Sequence, residues 1–124
     1  MLISGQMGRV AIVRLRPNQD LCDGVIEACQ QAGFHHAMIK SAVGSLNNAT
    51  LTTIDGDTQH KGIGIEILSL NGDVGPDAKG GMIANLSGII SRPDSQVYGG
   101  RFTKGKNIIC ITLELVLQEW VPSD

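Results

Sequence analysis

Between Arg9 and Pro17 the chain reads RVAIVRLRP, and Ala11, Val13 and Leu15 alternate with Ile12, Arg14 and Arg16. A period of two sends successive side chains to opposite faces, so this segment predicts a strand with one committed core face. Pro17 closes it. Leu21, Val25, Ala28, Cys29 and Ala32 then recur at helical spacing, which predicts a helix over 18–32 with one apolar side. Asn18 is expected as its N-cap, Asp20 and Asp23 suit the positive end of the helix dipole, and Gly33 is placed to end it.

Period two returns afterwards. HHAMIKSAVGSL predicts a second strand broken at Gly44-Ser45, and NNATLTTI a third after a turn at Asn47-Asn48. GIEILSLNG is the clearest internal strand, with turn chemistry at Asp55-Gly56 and Asn71-Gly72 on either side. A glycine-rich loop, NGDVGPDAKGG, leads to the strand MIANLSGII, and QVYGGRFTKG follows the break SRPDS. The last segment, NIICITLELVLQEW, sets Ile109, Ile111, Leu113, Leu115 and Leu117 on one face. Cys110, Thr112, Glu114, Val116 and Gln118 fall on the other. The expected fold is α/β in the α+β sense: a mostly antiparallel sheet of six or seven strands with one main helix on one face. It forms a single domain over residues 9–120, with short terminal segments at 1–8 and 121–124. One helix cannot cover both faces of such a sheet, so the mixed second face predicts a homo-oligomer.

Composition narrows the function classes. Net charge is −2 and the ten Lys and Arg residues are spread along the chain, so the basic stripe that drives nucleic-acid binding is missing. Four aromatic residues are too few for a base-stacking platform. No run of about twenty apolar residues predicts a membrane span, and MLISGQMGRV lacks the apolar run of a signal peptide, which leads to a cytoplasmic expectation. Cys22 and Cys29 lie about 10 Å apart along one helix, too far for a disulfide, and all three cysteines are expected as small core residues.

The segments VRLRPNQDL, GSLNNATL, IEILSLNGDV and VYGGRFTKG…TLELVL, in this order, resemble the PPC (plants and prokaryotes conserved) domain family over about Arg9 to Trp120. The resemblance implies a compact α/β domain that forms a homotrimer. Plant members carry such domains beside DNA-contacting AT-hooks; this chain has no Arg-Gly-Arg-Pro core, which argues against direct DNA binding. The plant segment associated with partner recruitment survives only at Glu66, Ile67 and Leu68. Many stand-alone prokaryotic members carry a His-x-His strand and a later Gly-Gly-His that resemble a metal site. Here Met82 and Ala84 are assigned to the first two positions, and Gly99-Gly100-Arg101 to the last. Neither a thioether nor a methyl group at those positions provides the imidazole, thiolate or carboxylate ligands that zinc uses, so neither metal nor cofactor is expected.

Candidate ligand-binding residues are therefore Arg101, Asn85, Gly99, Gly100, Lys104 and Glu66. With Lys106 and the backbone amides of the two glycines, Arg101 and Lys104 are the groups expected to receive a small anion. The paired glycines are read as a turn that lets the backbone approach a neighbouring chain, with Tyr98 and Phe102 as packing residues. Neither glycine-rich loop has the Gly-x-x-x-x-Gly-Lys-Ser/Thr spacing of a phosphate loop. Glu66 and Glu114 interrupt apolar strands, either as carboxylates for acid/base work or as charges paired across the sheet. His35, His36 and His60 have no ligand spacing. Three functions stand at this point: a trimeric non-enzymatic binding or scaffold domain with an anion pocket near Asn85 and Arg101, a DNA-associated regulator acting through a protein partner, and a small-molecule enzyme using Glu66 or Glu114.

Overall fold

A computed structural model describes residues 1–123. Six strands and one helix follow in the order β1 (Gly5–Leu15), α1 (Leu21–Ala32), β2 (Ala37–Thr53), β3 (Gly56–Pro76), β4 (Met82–Ser91), β5 (Val97–Phe102) and β6 (Ile109–Pro122). All strand pairings are antiparallel, in the sheet order β1-β6-β2-β3-β4-β5. The far end of β2 also pairs with β5, Leu51 opposite Phe102 and Thr52 opposite Arg101. Strands β2 to β5 thus close on themselves, while β6 and β1 extend the sheet from the first half of β2. None of the helices among the described residues is long and apolar enough to cross a membrane.

The inner face is aliphatic. Leu15, Leu46, Leu51, Ile65, Leu86, Ile90, Leu113, Leu115 and Leu117 are buried there, with Leu21, Val25 and Cys29 of α1 packed among them. Burial pushes the Cys22 thiol up to about 12, with the Asp20 and Asp23 charges adding to it, and the Cys29 thiol up to about 11. Both thiols are core groups, because the thiolate needed for nucleophilic chemistry is scarce at neutral pH.

Several boundaries depart from the sequence reading, each for a physical reason. Asp20, not Asn18, caps the helix: its backbone is extended and its carboxylate accepts from Asp23 N–H at 3.0 Å. Asn18 sits at φ 72°, outside the extended conformation of an N-cap, and its N–H donates to the Ile109 carbonyl. Gly33 does end the helix, at φ 75°, with N–H contacts to Cys29 and Gln30 carbonyls. Asn47-Asn48 is a register shift inside a continuous β2, not a turn. Asn47 N–H donates to the Ile108 carbonyl and Asn48 Oδ1 accepts from Ile108 N–H, so the asparagines hold the approach to β6.

Asn71-Gly72 also lies within a strand. Gly72 is required there because a Cβ would collide with the Asn85 carbonyl of β4. The turn proper is 77–81, where Asp77 Oδ1 accepts from Lys79 and Gly81 N–H. Ile111 leaves the inner face: the β2–β6 register jumps between Gly44 opposite Leu113 and Leu46 opposite Ile109, which turns Ile111 out to 73% exposure. The terminal segments also pair, Gly5 opposite Pro122.

Candidate functional site

Strand β5 is short because it fits into a narrow slot between β4 and β2. Gly100 lies opposite Gly88. A Cβ at Gly100 would stand 3.0 Å from the Thr52 carbonyl, and one at Gly88 would collide with the Ser69 carbonyl. The glycines of QVYGGRFTKG are thus strand residues that let β5 approach β2 and β4 of its own chain, where the sequence reading placed a turn against a neighbouring one. Phe102 is buried, and Tyr98 is half-buried against the core.

Facing follows from register. Residues directly opposite on antiparallel strands share a face, and the face alternates along each strand. Leu86 is buried on the inner face, and Met82 and Ala84, which share its parity, pack against the core. Asn85, Ser87 and Arg101 are all exposed, and Ser87 lies opposite Arg101. The assignment of the family's two histidine positions to Met82 and Ala84 is therefore corrected. The outward pair with the same spacing, Asn85 and Ser87, is the one that shares a face with Arg101.

The pairing continues sideways. Asn71 of β3 lies opposite Ser87, Ser87 opposite Arg101, and Arg101 opposite Thr52 of β2, a row of polar side chains around the closed part of the sheet. Thr52 Oγ1 donates to Asp57 Oδ1 at 2.7 Å and meets Thr103 Oγ1 at 2.8 Å. Arg101 makes no ion pair among the described residues. Asp73 stands one step from this row, opposite Asn85, and Asp57 lies beyond its other end, opposite Thr52, so Arg101 is a fixed positive charge between two carboxylates.

The remaining candidates separate from this row. Lys104 turns toward α1, with Nζ 3.8 Å from Asp23 Oδ1. Lys106 is exposed in the following loop. Glu66 is exposed opposite Ser91, four residues along β4 from Ser87. Glu114 accepts from Arg14 at 2.6 Å across β1 and β6, both side chains partly exposed. The two glutamates lie on opposite sides of β2, beside Ser45 and Val43, roughly 12 Å apart from strand spacing and rise. They do not form a pair around one reacting bond.

Two polar centres were not visible in the sequence. Asn107 is fully buried: its Oδ1 accepts from Thr50 N–H at 2.8 Å, and its Nδ2 donates to the Thr103 carbonyl at 2.7 Å. Its backbone N–H donates to Asp20 Oδ1 at 3.0 Å. His60 is buried against Tyr98, ring centroids 4.4 Å apart, with Nε2 2.9 Å from Thr58 Oγ1 and Nδ1 unpartnered. Arg92 lies over the other partner, Tyr98, at 5.6 Å and pairs with Asp94 at 2.8 Å. Burial, then the Arg92 charge, holds the His60 imidazole below its ordinary pKa, against a smaller opposing pull from Asp94. No sequence spacing joins residues so far apart.

On the far side of the sheet, Arg9 grips Glu119 with Nε at 3.1 Å and Nη2 at 3.2 Å, and these bonds hold the carboxyl below the usual carboxylate range. Among the described residues no group of three His, Cys, Asp or Glu side chains converges as metal ligands. An amide, a hydroxyl and a guanidinium stand at Asn85, Ser87 and Arg101. That set does not fit a divalent metal: it offers oxyanion-binding donors and a fixed positive charge.

Comparison with known proteins accords with the fold. The family model of the Plants and Prokaryotes Conserved (PCC) domain matches residues 2–121. A metal-containing protein from Archaeoglobus fulgidus superposes with a TM-score of 0.79 at 21% identity, covering 99% of this chain and 87% of that one. A protein from Bacteroides thetaiotaomicron described as a DNA-binding candidate superposes at 0.76 with 18% identity, covering 96% and 84%. The bifunctional protein GlmU of a Synechococcus strain is 32% identical over 108 residues, 86% of this chain and 16% of that protein. The chain thus spans about a sixth of the length of that curated relative.

Proposed function

We propose, from the premise that the chain belongs to the Plants and Prokaryotes Conserved domain family, that it is a non-enzymatic binding or scaffold domain. In this reading it assembles as a trimer and receives a small anion at the subunit boundary. The observation that carries the reading is the Asn71–Ser87–Arg101–Thr52 row: an exposed guanidinium without an ion-pair partner among the described residues, flanked by neutral hydrogen-bonding groups. A guanidinium presents a rigid fork of N–H donors to carboxylate or phosphate, and charge-assisted bonds of this kind are stronger than neutral ones.

The outward apolar side chains support assembly. Ile12 (84% exposed), Val43 (66%) and Leu68 (55%) stand on the sheet face that α1 does not cover. Ile12 lies opposite Val116, whereas Val43 lies opposite Glu114, so this face mixes apolar side chains with charged ones. In this reading these side chains are covered by a neighbouring subunit.

Titration with phosphate and with di- and tricarboxylates, followed by thermal unfolding, tests the anion site. A ligand at a hundredfold excess over its Kd stabilises by about 2.7 kcal/mol. The expected result is a saturable rise in unfolding midpoint that Arg101→Ala abolishes. A flat response to every anion, together with an unchanged profile for Arg101→Ala, overturns the anion site.

A second reading, a regulator associated with DNA through a partner or through a weak basic surface where subunits bring basic side chains together, draws on the Bacteroides neighbour. With a net charge of −2, the chain alone is expected to give no gel shift at low salt. A salt-sensitive shift would favour this reading over the first.

A further inference from the structure

At the end of the sheet where β2 begins, His36, Ala37, Met38, Asp73, Val74 and Trp120 line a half-open cavity of about 250 Å³. The backbone N–H of Trp120 donates to the His36 carbonyl at 2.9 Å, tying the end of β6 to the entrance of β2. Met38 and Asp73 lie directly opposite on β2 and β3, so they share the outward face. Ala37 and Val74 are each 1% exposed and belong to the core on which the cavity rests.

The chemistry of this lining points one way. Asp73 is exposed and forms no ion pair among the described residues. No lysine or arginine lines the cavity. An indole attracts a cation through its negative ring face, a carboxylate does so by charge, and a thioether supplies a polarizable wall for alkyl groups. An anion would meet the Asp73 carboxylate with no fixed positive charge to offset it, His36 being the basic side chain of the lining. The volume lies below the roughly 300–1,000 Å³ of sites for drug-sized ligands, so the occupant is small.

We propose that this cavity binds a small organic cation of the alkylammonium or quaternary ammonium class. The head group lies between the Trp120 indole and the Asp73 carboxylate, and its alkyl chain lies against Met38. The site lies beyond the Asn85 end of the Arg101 row, from which Asp73 is one step removed, and does not depend on that row's function.

Trp120 is the single tryptophan of the chain, so intrinsic fluorescence reports on this cavity. The test titrates the full chain with choline, and in parallel with the uncharged analogue in which carbon replaces the ammonium nitrogen. The expected result is a saturable fluorescence change with choline, at least about tenfold weaker with the analogue and about tenfold weaker in Asp73→Asn. Calorimetric titration of Trp120→Leu should lose the binding heat, and Trp120→Phe should keep part of it, while circular dichroism verifies that each variant is folded. The proposal is overturned by no saturable change with choline, by an equal response to the neutral analogue, or by an unchanged titration in folded Asp73→Asn.

Discussion

Replacing Asp20 with alanine removes two hydrogen bonds that join elements far apart in sequence. One carboxylate oxygen caps α1 through Asp23 N–H; the other accepts from Asn107 N–H, both at 3.0 Å. Loss of a cap costs about 1 kcal/mol. The second loss is larger, because Asn107 is fully buried and its N–H is left without a partner, a desolvation cost of about 1–3 kcal/mol. The sum is about 2–4 kcal/mol.

At about 2.1 cal/mol/K per residue, unfolding the chain carries an entropy near 260 cal/mol/K, so Asp20→Ala should lower Tm by about 8–15 °C. Differential scanning calorimetry measures the shift. Asp20→Asn keeps one acceptor oxygen and should lose about half as much. A midpoint within about 2 °C of the parent for Asp20→Ala would show that neither bond matters to the folded state.

Other outcomes follow from the same structure. His60 favours its neutral form when folded, because burial and Arg92 lower its pKa; the unfolded chain therefore binds its proton at higher pH. The associated stability is present above the unfolded pKa, near 6.5, and is lost as pH falls through the folded value. His60→Phe should flatten this acid limb in denaturation curves between about pH 7.5 and pH 5.5, and an unaltered limb would assign it to other groups. Ile12→Lys and Val43→Lys each place an ammonium where apolar burial is expected to contribute about 1.5–3 kcal/mol per subunit. Sedimentation should then show a single chain in place of a trimer, and a parent that sediments as a single chain would refute the assembly.

The helix and the inner face were legible because both are local patterns: a 3.6-residue period closed by Gly33, and alternation along β1 and most of β6. The errors arose where a residue serves a distant part of the chain. Asn18, Asn47 and Asn48 carry turn and cap chemistry, yet all three bond to Ile108 or Ile109. Asn71-Gly72 imitates a hairpin turn, but its glycine is there to admit the Asn85 carbonyl of the neighbouring strand. The candidate site was half legible. Arg101, which the family resemblance points to, shares a face with Asn85, whereas Ser87, Asn71 and Thr52 join them through cross-strand register alone. Lys104 and Glu66 were included by proximity in sequence or likeness to relatives, and strand geometry carries them elsewhere.

The pairing of the two ends of the chain has an architectural consequence. Gly5 lies opposite Pro122, and Ser123 N–H donates to the Ser4 carbonyl at 2.8 Å. Polypeptide enters and leaves the domain through one doorway, so a host protein could accommodate it as an insertion between adjacent residues without separating its own flanking segments. The last strand, β6, meanwhile sits between the first two strands of the sheet. A chain emerging from the ribosome must hold β1 and β2 with a strand-wide gap until the domain's last strand is made. The domain is easily grafted, but it completes itself only at the end of its own synthesis.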